Sequence, residues 1–133
     1  MLRGITFDRI EAVWPHVEGM LQKAVDKSQH DYLLEDIYFA LLSRDMQLWV
    51  WIVGEDITAC CVTMINNYPN RRVCQLPYIA GQGMGDWITL CEPVIVEWAK
   101  QRGCTQLEGF CRDGWLRVLK HWRKAWTTMR RDI

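Results

Sequence analysis

The chain has 133 residues, half of them hydrophobic and 24% charged, with 16 basic residues against 16 acidic ones. That length suits a single domain spanning 1–133 with a core of its own, and zero net charge excludes a polycation built for nucleic acid. No stretch approaches the roughly 20 apolar residues that cross a bilayer, and the early charges Arg3, Asp8, Arg9 and Glu11 break any signal-peptide core, so the expected location is the cytoplasm.

Ile5 to Phe7 reads as a short first strand. A helix follows from Asp8 to about Lys27, with Ile10, Val13, Val17, Met20, Leu21 and Ala24 at helical spacing; Pro15 places its true start near Trp14 or Pro15. A second helix is expected over Leu33 to Ser43. The period then changes. Gln47 to Val53 is rich in β-branched and aromatic residues and stops at Gly54-Glu55-Asp56, so with Ile57 to Ile65 it reads as a hairpin. Arg72 to Ile79 is a third strand after the turn at Asn66 to Asn70. A helix is expected from about Trp87 to Arg102, kinked or restarted at Pro93. Thr105 to Cys111 reads as a strand, Trp115 to Trp126 as a helix and Thr127 to Ile133 as a last short strand.

Between the third strand and the long helix lies Ala80-Gly81-Gln82-Gly83-Met84-Gly85. Glycines at this spacing leave the backbone bare where a strand hands over to a helix. Unpaired N–H groups at a helix N-terminus, with the positive end of the helix dipole behind them, suit a phosphate. The same spacing is also compatible with a plain turn.

Six cysteines, Cys60, Cys61, Cys74, Cys91, Cys104 and Cys111, lie mostly within apolar runs, with no CxxC pair and no histidine at ligand spacing. They read as buried thiols acting as small hydrophobes, with no metal site and no disulfide framework. The eight tryptophans are read as mostly packing residues.

The element order, together with the glycine loop, resembles the GCN5-related N-acetyltransferase (GNAT) superfamily, whose motif is Arg/Gln-x-x-Gly-x-Gly/Ala. Gly83 and Gly85 match its two small positions, Ala80 misses the first, and Val96 to Cys104 resembles the end of the following helix. More narrowly, Gln47-Leu48-Trp49, Val62-Thr63, Tyr78 to Gly81 and Cys111 to Trp115 resemble small GNAT-like phage proteins, which implies a host cytoplasm. The resemblance implies an α/β fold with a mixed central sheet of five or six strands flanked by helices. It also implies acetyl-CoA as co-substrate, with the strand ending at Ile79 along the pantetheine arm, Gly81 permitting close approach, and the backbone of Gln82, Gly83, Met84 and Gly85 around the pyrophosphate.

Direct acetyl transfer needs a base for the amine and a proton for the leaving thiolate. Glu108, a lone acid in an apolar strand, is the candidate base; the other reading is an edge carboxylate in solvent or paired with Arg72 or Arg112. Glu92 is a second candidate, otherwise a charge on a solvated helix face. Aligning Ala125-Trp126 with the family's Gly-Phe puts His121 where a general-acid tyrosine is expected; the other reading is an exposed helical histidine. Cys111 reads as a buried thiol. By resemblance the acceptor side is built around His30 to Asp36 and Asn66 to Arg71, where no motif names the amine. The basic C-terminal run, Arg112, Arg117, Lys120, Arg123, Lys124, Arg130 and Arg131, reads as a solvated face, then as a surface for the coenzyme's 3′-phosphate or an acidic partner, and last as a nucleic-acid site. Alternatives to the enzyme are a catalytically inactive GNAT-fold protein docking on another chain and, least favoured, a small nucleic-acid-binding domain. A protein partner or homodimer fits either GNAT reading, and no membrane is implied.

Overall fold

The computed structural model describes residues 1–111 and 113–133, with all their side chains except those of Met84, Asp86, Trp87, Ile88 and Asp113. Among the described residues five strands form one sheet in the order β1-β2-β3-β4-β5. These are β1 (Leu2–Ile5), β2 (Gln47–Val53), β3 (Asp56–Tyr68), β4 (Arg71–Gly81) and β5 (Gln106–Glu108). The first four pair antiparallel and β5 lies parallel to β4. The helices are α1 (Ile10–Asp26), α2 (Leu34–Leu42) and α3 (Met84–Gln101), with 3-10 turns at Phe7–Arg9 and Asp113–Arg117. None is long and apolar enough to cross a membrane.

Both faces of the sheet are covered, which is why the strands alternate between two apolar sets. One face packs Leu48, Val50, Cys60, Val62 and Tyr78 against Val17, Leu21 and Val25 of α1 and Ile37 and Leu41 of α2. The other packs Trp49, Cys61 and Cys74 against Cys91, Ile95 and Ala99 of α3, with Leu119 closing the end. Each fully buried Leu or Ile contributes about 1.5–3 kcal/mol. On the α3 face the Trp49 indole donates to the Thr63 hydroxyl at 3.0 Å, and Thr63 donates to Gln47 at 3.0 Å, so the buried polar groups are satisfied.

Several expected bounds shift. The first strand ends at Ile5 instead of beginning there. Helix α1 starts at Ile10 rather than near Trp14 or Pro15, and α3 is continuous through Pro93. Both prolines are exposed, as are Glu11 and Thr89 one turn before them, so the carbonyl each proline frees is within reach of water.

The C-terminal expectations fail. Residues 118–133 hold no helix or strand, so the helix over Trp115 to Trp126 and the strand over Thr127 to Ile133 are absent. The apolar stripe packs inward over its first three residues without an α-helix and is exposed at its end. Trp115, Leu119 and Trp122 pack against the α3-side core, but Trp126 is 87% exposed. Beyond Trp122 no buried face remains to hold a helix, which is marginal in water on its own. Arg112 lies outside the described residues.

Five cysteines are buried thiols, but Cys111 is exposed, against the sequence reading. Burial pushes the thiols of Cys60 and Cys74 up to about 12 and that of Cys91 up to about 11, and it raises that of Cys61 well above its ordinary value. The folded state thus keeps protons that the unfolded chain loses above the ordinary thiol value of 9.0. Stability from this source is intact below that pH and falls as pH rises through it toward the folded values. Thermal unfolding at increasing alkaline pH should show a progressive drop in Tm, lessened in a Cys61→Ala variant. In the native state a disulfide reagent should label Cys111 quickly and the other thiols only after unfolding; rapid labelling of all would contradict the burial.

Candidate active site

The site begins with a proline. Pro77 has no N–H to give a sheet ladder, and a central strand accepts it only at a bulge. In the β3–β4 ladder Val62 pairs with Tyr78 and Met64 with Gln75, so Leu76 and Pro77 together oppose Thr63. The bulge redirects β4 just where its parallel partner stops: the β4–β5 ladder runs Val73–Gln106, Cys74–Leu107 and Gln75–Glu108, and ends. Beyond it β4 continues to Gly81 while the segment after β5 leaves through Gly109. The two separate, and a cleft of about 1320 Å³ opens between them.

One wall of the cleft is β4 from Gln75 to Gly81 with Gln82; opposite stand Leu107 and residues 109–111. Cys91, Glu92 and Ile95 of α3 line one face, and the C-terminal half of α1 with the loop to Tyr32 lines the other. The volume exceeds the roughly 300–1,000 Å³ of ordinary small-molecule pockets, leaving room for a long ligand and a second molecule.

At the end of β4 the glycines divide their roles. Gly81 has φ +113°, and a Cβ there would stand 2.4 Å from the Thr58 carbonyl oxygen and 2.5 Å from Ala59 Cα. Only glycine lets β4 pass that close to β3. Gly83 caps α3 in the left-handed region, φ 69° and ψ 33°, and offers no side chain to the first N–H groups of the helix. A Cβ on Gly83 or Gly85 meets nothing within 4 Å. Gly83 thus gives the N-terminus of α3 no side-chain cap and leaves room at its own position, at the partial positive end of the helix. The Gln82 amide is engaged elsewhere, because it donates to the Thr58 carbonyl at 3.0 Å. The backbone donors left from the expected set are those of Gly83, Met84 and Gly85.

Glu108 is the last residue of β5, where the ladder ends, and is not itself among the cleft-lining residues; it meets the cleft through Gln75. Its Oε1 accepts from the Gln75 side-chain amide at 2.9 Å, and its Oε2 is 3.6 Å from Arg71 Nη2. Gln75 is 3% exposed and lines the cleft, so the carboxylate is held through a buried amide at the point of separation. The partner is Arg71 rather than Arg72, whose guanidinium instead binds the Arg102 carbonyl at 2.8 Å and Asn67 at 2.9 Å. Glu92, weighed as a solvated helix charge, is half-buried in the cleft and accepts the Trp122 indole N–H at 3.0 Å.

His121 does not stand on a helix, as the sequence alignment had it; it is exposed in a turn and is not among the cleft-lining residues. A buried tyrosine in the cleft lining was missed. Tyr78, 5% exposed, lines it directly after the bulge. Burial raises its phenol above the ordinary value, opposed by a hydrogen bond with Ser28, with Tyr32, Asp31 and Asp36 adding smaller upward pushes. It is therefore a neutral O–H donor near pH 7. The available signal was Pro77 inside a strand-like run, which marks a bulge and resets which face the next residue takes.

No protein-family model and no curated protein matches the chain. Solved structures do. A ribosomal-protein-alanine N-acetyltransferase from Brucella melitensis biovar Abortus 2308 aligns over 100% of this chain and 98% of its own, with TM-score 0.68 and 12% identity. An aminoglycoside acetyltransferase from an uncultured soil metagenomic sample, in complex with sisomicin, aligns over 100% and 95%, with TM-score 0.72 and 8% identity. A predicted acetyltransferase from Clostridium acetobutylicum, with acetyl-CoA, aligns over 98% and 95%, with TM-score 0.67 and 14% identity. With its mixed sheet, the separation of β4 from β5 and α3 at the end of β4, the chain has the GNAT fold of these acetyltransferases.

Proposed function

We propose that the protein is an N-acetyltransferase that moves an acetyl group from acetyl-CoA directly to an amine. The observation that carries this reading is the cleft between two diverging parallel strands, beside a helix N-terminus to which Gly83 gives no side-chain cap. A slot between strands suits the pantetheine arm, lying along Ile79 and the β4 edge. The amides of Gly83, Met84 and Gly85 suit the pyrophosphate, with Gly81 keeping β4 against β3.

The amine nitrogen attacks the acetyl carbonyl carbon, a C–N bond forms and the C–S bond breaks. Glu108, behind Gln75 at the edge of the cleft, takes through a water the proton the ammonium must lose. The neutral Tyr78 hydroxyl, in the cleft lining, gives the departing thiolate its proton, in the role the alignment gave to His121. Gln75 and Arg71 hold the Glu108 carboxylate in place.

Release of free CoA thiol over a panel of amines tests the reading. Transfer to at least one amine is expected, with kcat in Glu108→Gln down by about 10²- to 10³-fold and acetyl-CoA affinity unchanged. An unchanged rate in Glu108→Gln would remove it as the base. One observation favours a second reading, a GNAT fold without catalysis that docks on another chain: Trp126 and Met129 are 87% and 91% exposed on the same tail. Acrylamide quenching of a fluorescent Trp126 in the free protein, relieved by a partner and not by acetyl-CoA, would support that reading.

A further inference from the structure

The C-terminal tail joins the two faces of the cleft. Trp122 belongs to the α3 face: it lines the cleft, its indole donates to Glu92 at 3.0 Å, and its ring would meet a Cβ on Gly109 at 3.7 Å. Further along, Arg130 donates to the side-chain carbonyl of Gln29, which lines the opposite face in the loop after α1. Residues 123–129 therefore pass from one face to the other, and because none of them lines the cleft they run outside it. Residues 123–133 are all exposed, and none is in a helix or strand. Segments with so few buried contacts open at little cost, and lids are drawn from them.

The tail's charge is one-sided, with Arg123, Lys124, Arg130 and Arg131 against Asp132. Among the described residues Arg123, Arg130 and Arg131 form no ion pair, and the amide that holds Arg130 is neutral. Between the two attachments Trp126 is 87% exposed. A polyanion carrying a planar base answers both features: phosphates pair with the cations, and a purine ring stacks on an indole. A coenzyme with its arm in the slot and its pyrophosphate at the start of α3 has its adenosine end outside the slot. That end is within reach. Glu92, where Trp122 is held, stands about 12 Å along α3 from Met84, its first residue. The chain from Trp122 to Trp126, at about 3.3 Å per residue, spans about 13 Å. Resting on the transferase reading, we propose that the tail from Arg123 to Arg131 closes over bound coenzyme, with Trp126 stacking on its adenine and Arg123, Arg130 and Arg131 pairing with its phosphates. Trp122 stays as the fixed end. Arg130 exchanges the Gln29 carbonyl for an ionised acceptor, which makes the stronger hydrogen bond.

The test uses the full chain and CoA. Calorimetry establishes binding, and trypsin cleavage after Arg123, Lys124, Arg130 and Arg131 is then followed by mass. Saturating CoA should slow these cuts at least about tenfold, because proteolysis follows the population of the open form. Arg130→Gln/Arg131→Gln should weaken CoA binding about tenfold and leave Tm unchanged, since both side chains are exposed. CoA should quench the tryptophan emission of the native chain more than that of Trp126→Phe. Equal tail cleavage with CoA bound, unchanged affinity in the arginine variant, or equal quenching in Trp126→Phe would overturn the inference and leave the coenzyme site standing. Failure of CoA to bind the native chain would remove the reading beneath it and the inference with it.

Discussion

Replacing Gly81 with alanine should destabilise the protein by about 3–5 kcal/mol, through backbone strain and overpacking acting together. The strain arises at φ +113°, which L residues rarely adopt. The overpacking arises because the new methyl would meet the Thr58 carbonyl at 2.4 Å, Ala59 Cα at 2.5 Å and Ala59 Cβ at 2.8 Å, mostly backbone that cannot turn aside. Relief requires β4 to move off β3, which would also break the hydrogen bond from the Gln82 amide to Thr58. That loss is a large share of the roughly 5–15 kcal/mol that holds a domain folded, and Tm should fall by more than about 10 °C. A Tm within about 3 °C of the parent would show that the strand crossing is looser than described.

Gly83→Asp should have the opposite profile, with little change in stability and a large loss of acetyl-CoA binding. Space is open around a Cβ at Gly83, and Asp tolerates the left-handed backbone at φ 69° better than most residues. Its carboxylate would occupy the first N–H groups of α3 and put negative charge where the pyrophosphate belongs. Affinity should fall by at least about 100-fold, since a charge-assisted anion site is both blocked and repelled. Calorimetry paired with thermal melts separates the two effects. Retained binding would move the phosphate site away from α3, and a collapsed Tm would make Gly83 structural.

What could be read from residue order, and what could not, divides along local and non-local lines. The run Gln47 to Val53 declares a strand through its β-branched and aromatic residues, and Gly54, at φ +65°, marks where the hairpin turns. The glycine loop marks where α3 follows β4, though the helix starts at Met84, within the loop, rather than near Trp87 as expected. The stripe of Trp115, Leu119, Trp122 and Trp126 has helical spacing too, but Trp115, Leu119 and Trp122 reach the α3-side core from a 3-10 turn and irregular chain, so their packing needs no helix, and Trp126 is exposed. Glu108 could be chosen as a lone acid in an apolar strand. Its partners Gln75 and Arg71 could not, because the parallel ladder that brings them together joins residues more than thirty positions apart. The cleft was equally hidden, since it depends on where that ladder stops and on the bulge at Pro77. Tyr78 was missed for the same reason: a one-residue bulge decides which face a side chain takes.

The most direct test of the central claim is a calorimetric titration of the native protein with acetyl-CoA, with CoA as comparison. The expected result is micromolar binding at one site, lost in Gly83→Asp. No binding at millimolar acetyl-CoA would contradict it, and would mean that the GNAT fold is retained here without its coenzyme.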